Sequence, residues 1–197
     1  MAKLNFKYST MNAGKSLDLI RTVHNYEENG YNVLVLKPSI DTKANNYISS
    51  RVGVKRKVDF LIKSDDNIEE VLKNHLDNIK AIFVDEAQFL SKAQVDELFL
   101  ISKKYNTDVI CYGLRNNFKM EGFEGSSRLL LIAEELEELK TMCKCGNIAR
   151  YVGRKVNGVY QTEGDVVVID GTNNVEYIPL CGDCYLNDVK NIKDDNN

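Results

Sequence analysis

The stretch Tyr8-Ser9-Thr10-Met11-Asn12-Ala13-Gly14-Lys15-Ser16 constrains the fold more than any other part of the chain. Before it lie Leu4, Phe6 and Tyr8, alternating as a short strand does. After it lie Leu17, Leu19, Ile20 and Val23, spaced as one face of a helix. A strand, a tight loop and Gly-Lys-Ser opening a helix form a phosphate-binding geometry. Backbone N–H groups of such a loop converge on a polyanion, and the helix N-terminus adds partial positive charge. Lys15 then reaches the β- and γ-phosphates, and Ser16 offers its hydroxyl to Mg²⁺. Ser9 stands where the usual G-x-x-x-x-G-K-[ST] pattern has its first glycine. Serine serves there if the backbone keeps to a conformation open to any L-residue. The plainer alternative is an ordinary helix start capped by Asn12 or Ser16.

The first two thirds of the chain alternates strand and helix patterns. Leu4 to Tyr8 reads as a strand and Leu17 to Glu28 as a helix stopped by Gly30. Val33 to Leu36, Ala81 to Val84 and Val109 to Tyr112 are continuous apolar runs, as strands covered on both faces should be. Pro38 ends the first run, and Gly113 the last. Val58 to Ile62 reads as a further strand, Ile68 to Leu76 as a helix, and Ile40 to Arg56 as polar and irregular. Ser91 with Gln94 forms a capping box for a helix to Lys104. This alternation predicts a doubly covered parallel sheet, an α/β fold whose ligands bind at the carboxyl ends of the strands. Ser9 to Ser16, Asp85 to Phe89 and Leu114 to Phe123 all fall at such ends.

Asp85 and Glu86 directly follow an apolar run. Asp85 occupies the place of a carboxylate that holds hydrated Mg²⁺, and Glu86 of a base that takes a proton from an attacking hydroxyl. The run Glu134-Glu135 and Glu137-Glu138 reads as a solvated face and turn. After Lys140 helix signals stop and cysteines appear. Cys143 and Cys145 form C-x-C, and Cys181 and Cys184 form C-x-x-C. Four thiolates suit a closed, structural tetrahedral Zn²⁺ site in a segment with little core of its own. Asn157-Gly158 predicts a tight hairpin, and the fifth cysteine, Cys111, a buried structural thiol. The expected organisation is 1–140 for the nucleotide-binding part, 141–190 for a small β-rich zinc part and 191–197 as a disordered polar tail.

With 197 residues, 43% of them hydrophobic, the chain can build a core. A net charge of −3 argues against a nucleic-acid partner. No apolar run approaches the ~20 residues of a membrane span, and the N-terminus has no apolar signal region. A cytoplasmic protein is expected, in which five cysteines point to metal or free thiols.

Four motifs occur in order: Ser-x-Met-Asn-Ala-Gly-Lys-Ser (9 to 16), Val-Asp-Glu-Ala-Gln-Phe (84 to 89), Cys-Tyr-Gly-Leu-Arg-x-x-Phe (111 to 118) and Glu-Leu-Lys-Thr-Met-Cys (138 to 143). Together with the cysteine pairs they make the chain, over roughly residues 1 to 190, resemble the zinc-containing cytosolic thymidine kinases, most closely the bacterial ones. The resemblance implies a RecA-like P-loop domain and a small zinc domain with a lasso loop, here Gln161 to Tyr177. It implies transfer of the ATP γ-phosphate to the 5′-hydroxyl of thymidine, with Glu86 as catalytic base and Asp85 as the Mg²⁺-linked acid. Gln88 belongs to the same nucleotide-contacting element. Met11, Phe89, Leu114, Phe118, Val166, Val168 and Tyr177 match the substrate pocket. A homotetramer inhibited by thymidine triphosphate is likewise implied. Two places depart from the family pattern. Asp170-Gly171 stands where relatives carry Gly-Gly. Asp41-Thr42-Lys43 stands where they carry Asp-x-Arg, and lysine lacks the planar fork of arginine. The competing readings are a nucleotide-switched ATPase whose zinc module contacts nucleic acid, and a kinase of the same architecture for another deoxynucleoside.

Overall fold

The computed structural model describes residues 1–40, 46–166 and 174–191. In chain order, β1 (Leu4–Ser9) leads through the glycine-containing loop into α1 (Lys15–Glu28) and then β2 (Val33–Pro38). An antiparallel ribbon follows, β3 (Tyr47–Ser49) with β4 (Lys55–Lys57), and then β5 (Phe60–Ile62) and α2 (Ile68–Leu72). Next come β6 (Ala81–Val84), a 3-10 turn at Ala87–Phe89, α3 (Lys92–Lys104), β7 (Asp108–Leu114), α4 (Glu124–Ile132) and β8 (Glu135–Glu138). The remaining elements are β9 (Thr141–Met142), β10 (Ile148–Ala149), β11 (Tyr151–Val156), β12 (Val159–Gln161), β13 (Val175–Leu180) and α5 (Gly182–Val189).

Six strands form one parallel sheet in the order β5-β2-β6-β7-β1-β8. Its central strands alternate between two separate cores. Ile82, Val84, Val109 and Cys111 face one core with Val95, Leu98 and Ile101 of α3. Ala81, Phe83, Ile110 and Tyr112 face the other with Leu19, Ile20 and Val23 of α1. Because both faces are covered, apolar residues run without interruption, and each buried side chain contributes about 1.5–3 kcal/mol. The α3 cap forms as its sequence predicts: Ser91 Oγ accepts from the Gln94 amide at 3.2 Å, and Gln94 Oε1 accepts from the Ser91 amide at 3.1 Å.

Several local expectations are corrected. Part of the stretch read as irregular, Ile40 to Arg56, folds as the β3–β4 ribbon. Its strands are three residues each, and β4 is Lys-Arg-Lys, so too few positions are present to show a period. The acidic run is an edge strand, β8, paired in parallel with β1; an edge tolerates charge because one side meets solvent. The helix expected to reach Leu76 ends at Leu72. A helix, α5, does occur after Lys140, begun by Cys181, whose Sγ accepts from the Cys184 amide. The tail from 192 onward lies outside the described residues, as do Asp41, Thr42, Lys43, Val168, Asp170 and Gly171.

The second part holds a three-stranded antiparallel sheet, β12-β11-β13, and the β9–β10 ribbon. Asn157 (φ 50°) and Gly158 (φ 79°) both adopt the left-handed region, as a two-residue primed turn requires. This part meets the larger sheet directly. Thr10 Oγ1 donates to the Tyr151 carbonyl at 3.0 Å, and the Tyr185 hydroxyl donates to the Phe118 carbonyl at 2.6 Å.

One polar cluster fastens α1 to the sheet. Asp18 accepts from Arg21 Nη2 at 2.6 Å, Lys7 Nζ at 3.0 Å and the Tyr112 hydroxyl at 2.9 Å. Burial opposes its charge, but these three donors outweigh burial and hold its carboxyl below the usual carboxylate range. A depressed folded-state value means stability present above the unfolded value and lost as pH falls through the folded one. Asp18→Asn should therefore destabilise the protein by about 1–3 kcal/mol near neutral pH. Urea melts at descending pH should show that deficit constant down to about pH 5 and shrinking below about pH 4.

Candidate functional site

Parallel strands that end together put their following loops together. Ser9 of β1 lies beside Leu114 of β7, and the Asp85 amide donates to the Leu36 carbonyl at 3.0 Å. The phosphate-type loop, the acidic pair and the end of β7 therefore share one edge of the sheet.

The loop enters the left-handed region at Asn12 (φ 66°) and Gly14 (φ 80°), while Ser9 stays outside it. That is why serine is tolerated at the loop's first position and glycine kept at its last. A Cβ on Gly14 would meet nothing within 4 Å, so its φ alone demands glycine. Lys15 lies across the loop, donating to Ser9 Oγ at 3.0 Å and to the Thr10 carbonyl at 3.3 Å. Ser9 Oγ in turn donates to the Thr10 carbonyl.

At the end of β6, Asp85 is buried and Glu86 half-buried. Glu86 holds a left-handed backbone, φ 51° and ψ 37°, which is uncommon for a side chain with a Cβ and clusters at functional sites. Gln88 Nε2 donates to Glu86 Oε2, and Gln88 Oε1 accepts from the Leu114 amide at 3.0 Å. One buried amide thus orients the carboxylate against β7. Gly113 makes room for it: a Cβ there would stand 3.0 Å from Gln88 Oε1 and 3.1 Å from its backbone nitrogen. Gly125 does the same for α4, where a Cβ would stand 2.3 Å from the Ala87 carbonyl oxygen.

A cleft of about 290 Å³ opens here, lined by Met11 to Leu17, Lys37, Tyr47 to Val52, Asp85 and Glu86. It brings together Met11, Asn12, Ala13, Gly14, Lys15, Ser16, Asp85 and Glu86 of the residues expected from sequence. Ser9, Thr10 and Gln88 are buried around it as supports. Sequence reasoning misses the wall formed by β3 and the turn after it, Tyr47 to Val52, and also buried Lys37, whose charge suits a polyanion; no motif signals either. Phe89, Leu114, Phe118, Val166 and Tyr177 lie outside this cleft's lining. Phe89 meets Phe123 edge-on at 5.7 Å between ring centroids. Phe118 is buried beneath the zinc-type part, and Tyr177 is on β13.

The four cysteines of the second part converge: the Sγ atoms of Cys143, Cys145, Cys181 and Cys184 lie within 4.8 Å of one another. Four thiolates at that spacing fit a zinc ion with Zn–S bonds of about 2.3 Å. Cys111, sealed in the core, has its thiol pushed up by burial and is a packing residue.

The thymidine kinase family pattern matches residues 2–185. The chain belongs to the thymidine kinase family. It is 39% identical to a thymidine kinase of Streptococcus gordonii over 97% of this chain and 100% of that one. It is 43% identical to one of Haemophilus influenzae over 92% and 94%, and 42% identical to one of Mannheimia succiniciproducens over 92% and 93%. Among solved structures, the Pif1 helicase of Candida albicans aligns over 70% of this chain and 36% of its own, at 14% identity and a TM-score of 0.43, too slight to bear on activity. Family membership makes the protein a phosphotransferase with ATP and thymidine as substrates. No helix among the described residues is long and apolar enough to cross a membrane.

Two outcomes are expected. Gly113→Ala should displace Gln88 by a few tenths of an ångström and lower kcat about tenfold, since catalysis is sensitive to such misplacement; steady-state kinetics checks it. Elemental analysis of the purified protein should find about one zinc per chain, and Cys184→Ser should abolish it and lower Tm by more than about 5 °C.

Proposed function

We propose that the protein transfers the γ-phosphoryl group of ATP to the 5′-hydroxyl of thymidine with Glu86 as the general base. The observation that carries this assignment is the single cleft lined at once by Lys15, Ser16, Asp85 and Glu86. Phosphoryl transfer depends mainly on placement and charge neutralisation. The loop amides and Lys15 hold the β- and γ-phosphates and take up charge as the bond to the leaving oxygen lengthens. Glu86 accepts the proton of the 5′-hydroxyl as that oxygen bonds to the γ-phosphorus, and ADP leaves. Gln88 keeps the carboxylate aimed, so the base does not have to reorganise during the step. Ser16 and Asp85 would hold the divalent ion that accompanies ATP, magnesium in this reading, which supplies further charge neutralisation when bound.

In the same proposal the nucleoside base lies beyond Met11, between Phe89, Leu114 and Phe118 of the larger part and Val166 and Tyr177 of the smaller one. Val168 is assigned to that pocket by its motif and lies outside the described residues. Cys143, Cys145, Cys181 and Cys184 would hold zinc as a closed cross-link with no catalytic position. A homotetramer, feedback by thymidine triphosphate and a cytoplasmic location complete the reading, supported by the motif resemblance.

ADP formation from Mg-ATP with thymidine, deoxyuridine, deoxycytidine or deoxyguanosine in turn tests the assignment. Turnover with thymidine, weaker with deoxyuridine and absent with the others, is expected. Nucleoside-independent ATP hydrolysis by zinc-loaded protein would overturn it. Glu86→Gln should lower kcat roughly 10²–10⁴-fold while ATP affinity, read by calorimetry, is retained. Parallel loss of binding and turnover would instead make Glu86 structural.

A further inference from the structure

We propose that Arg154 is a positioning residue for the nucleoside: its guanidinium fixes the start of the loop leaving β12, residues 162–166, against the Phe118 ring assigned above to the base pocket. The inference rests on the functional assignment above. Arg154 sits mid-strand on β11 and is 5% exposed. Its planar head lies 3.8 Å from the centroid of the Phe118 ring, on the loop that follows β7. Along its edge, Nη2 donates to the Glu163 carbonyl at 2.7 Å and Nη1 donates to the Asp165 carbonyl. Between those two residues, Gly164 runs at φ 111°, and a Cβ there would stand 2.5 Å from Nη2. The chain is therefore wrapped closely around the guanidinium, and only glycine permits the wrap.

The register places the contact relative to the neighbouring strands. Arg154 pairs with Tyr177 on β13 and with Gln161 on β12, and directly paired residues stand on the same face of a sheet. One side chain thus joins the aromatic loop of the larger part to the start of the loop leaving β12, on the sheet face that Tyr177 shares. Phe118 is itself held by the Tyr185 hydroxyl on its carbonyl, so the platform under Arg154 is fixed.

The choice of a cation is informative. Both acceptors are neutral carbonyls, and among the described residues no carboxylate pairs with Arg154. Burying a cation against neutral acceptors is costly, so simple packing does not explain it. A planar fork that bonds two carbonyls along its edge while stacking on a ring is the geometry arginine supplies and lysine does not. No sequence motif marks this residue, because its partners come from two separate segments, the loop after β7 and the loop after β12.

The test uses the full-length, zinc-loaded protein with Arg154→Lys, Arg154→Gln and, separately, Gly164→Ala. Each should raise KM for thymidine by about tenfold or more, with KM for ATP unchanged within about twofold and kcat falling less than KM rises, the pattern of lost ground-state placement. Zinc content should stay equal to that of the unaltered protein, and hydrogen exchange at residues 162–166 should speed up. An unchanged KM for thymidine, or a parallel rise in both KM values, would overturn the proposal while leaving the kinase assignment standing. Absence of thymidine-dependent turnover in the unaltered protein would overturn the assignment and the proposal together. If the arginine variants fail to fold, Gly164→Ala decides alone, since it leaves Arg154 in place and disturbs only the loop's wrap.

Discussion

Covering the central strands on both faces is the constraint from which the site follows. Side chains of β6 and β7 alternate strictly between two cores, so a one-residue slip would move each of them into the wrong core. Register is thereby fixed, and with it the level at which β1, β6 and β7 end. Ser9, Asp85 and Leu114 meet because Phe83, Val84, Ile110 and Cys111 cannot shift. The cleft is a consequence of packing several ångströms below it.

At that edge the backbone departs from its favoured conformations in a few places. Glu86 is left-handed, a strain of roughly 1–3 kcal/mol, and the following turn is bound by the Phe89 amide on the Glu86 carbonyl at 3.0 Å. Gly113 and Gly125 let β7 and α4 close on the same turn from either side. The Ser126 hydroxyl also donates to the Leu114 carbonyl, which joins α4 to the strand end. A carboxylate held this way is oriented by its surroundings before a substrate arrives.

The zinc-type part reaches the cleft's neighbourhood through few but specific contacts. Thr10 bonds to β11, Tyr185 to the Phe118 loop, and Arg154 lies on the Phe118 ring. Its own core is small, built around Leu180 and Tyr185 with Cys143 and Cys181. In the reading proposed above, zinc held by the four cysteines would supply stability that so little buried surface cannot. Such a cross-link would act on the site indirectly, by keeping β11 and α5 where Thr10 and Phe118 meet them.

Features that depend on neighbouring residues are written in the chain itself. Gly14-Lys15-Ser16 between a strand and a helix, the uninterrupted apolar runs, the Ser91–Gln94 cap, the Asn157-Gly158 turn and the cysteine pairs each carry their own physical signature within a few positions. So the parallel α/β fold, the phosphate-type loop and the four-thiolate cluster are legible without coordinates. The β3–β4 ribbon and the edge strand at Glu135–Glu138 are not, because short or solvent-facing elements have no apolar period to read, and in helix α5 one turn from Tyr185 to Val189 is too short a repeat to stand out. Which side chains support the candidate base is settled by packing between distant segments. Gln88 bridging to Leu114, Gly113 yielding space, and Arg154 between Phe118 and the Glu163 and Asp165 carbonyls each join parts far apart in the chain. Such contacts exist only once the folded chain has set distances that no local pattern contains.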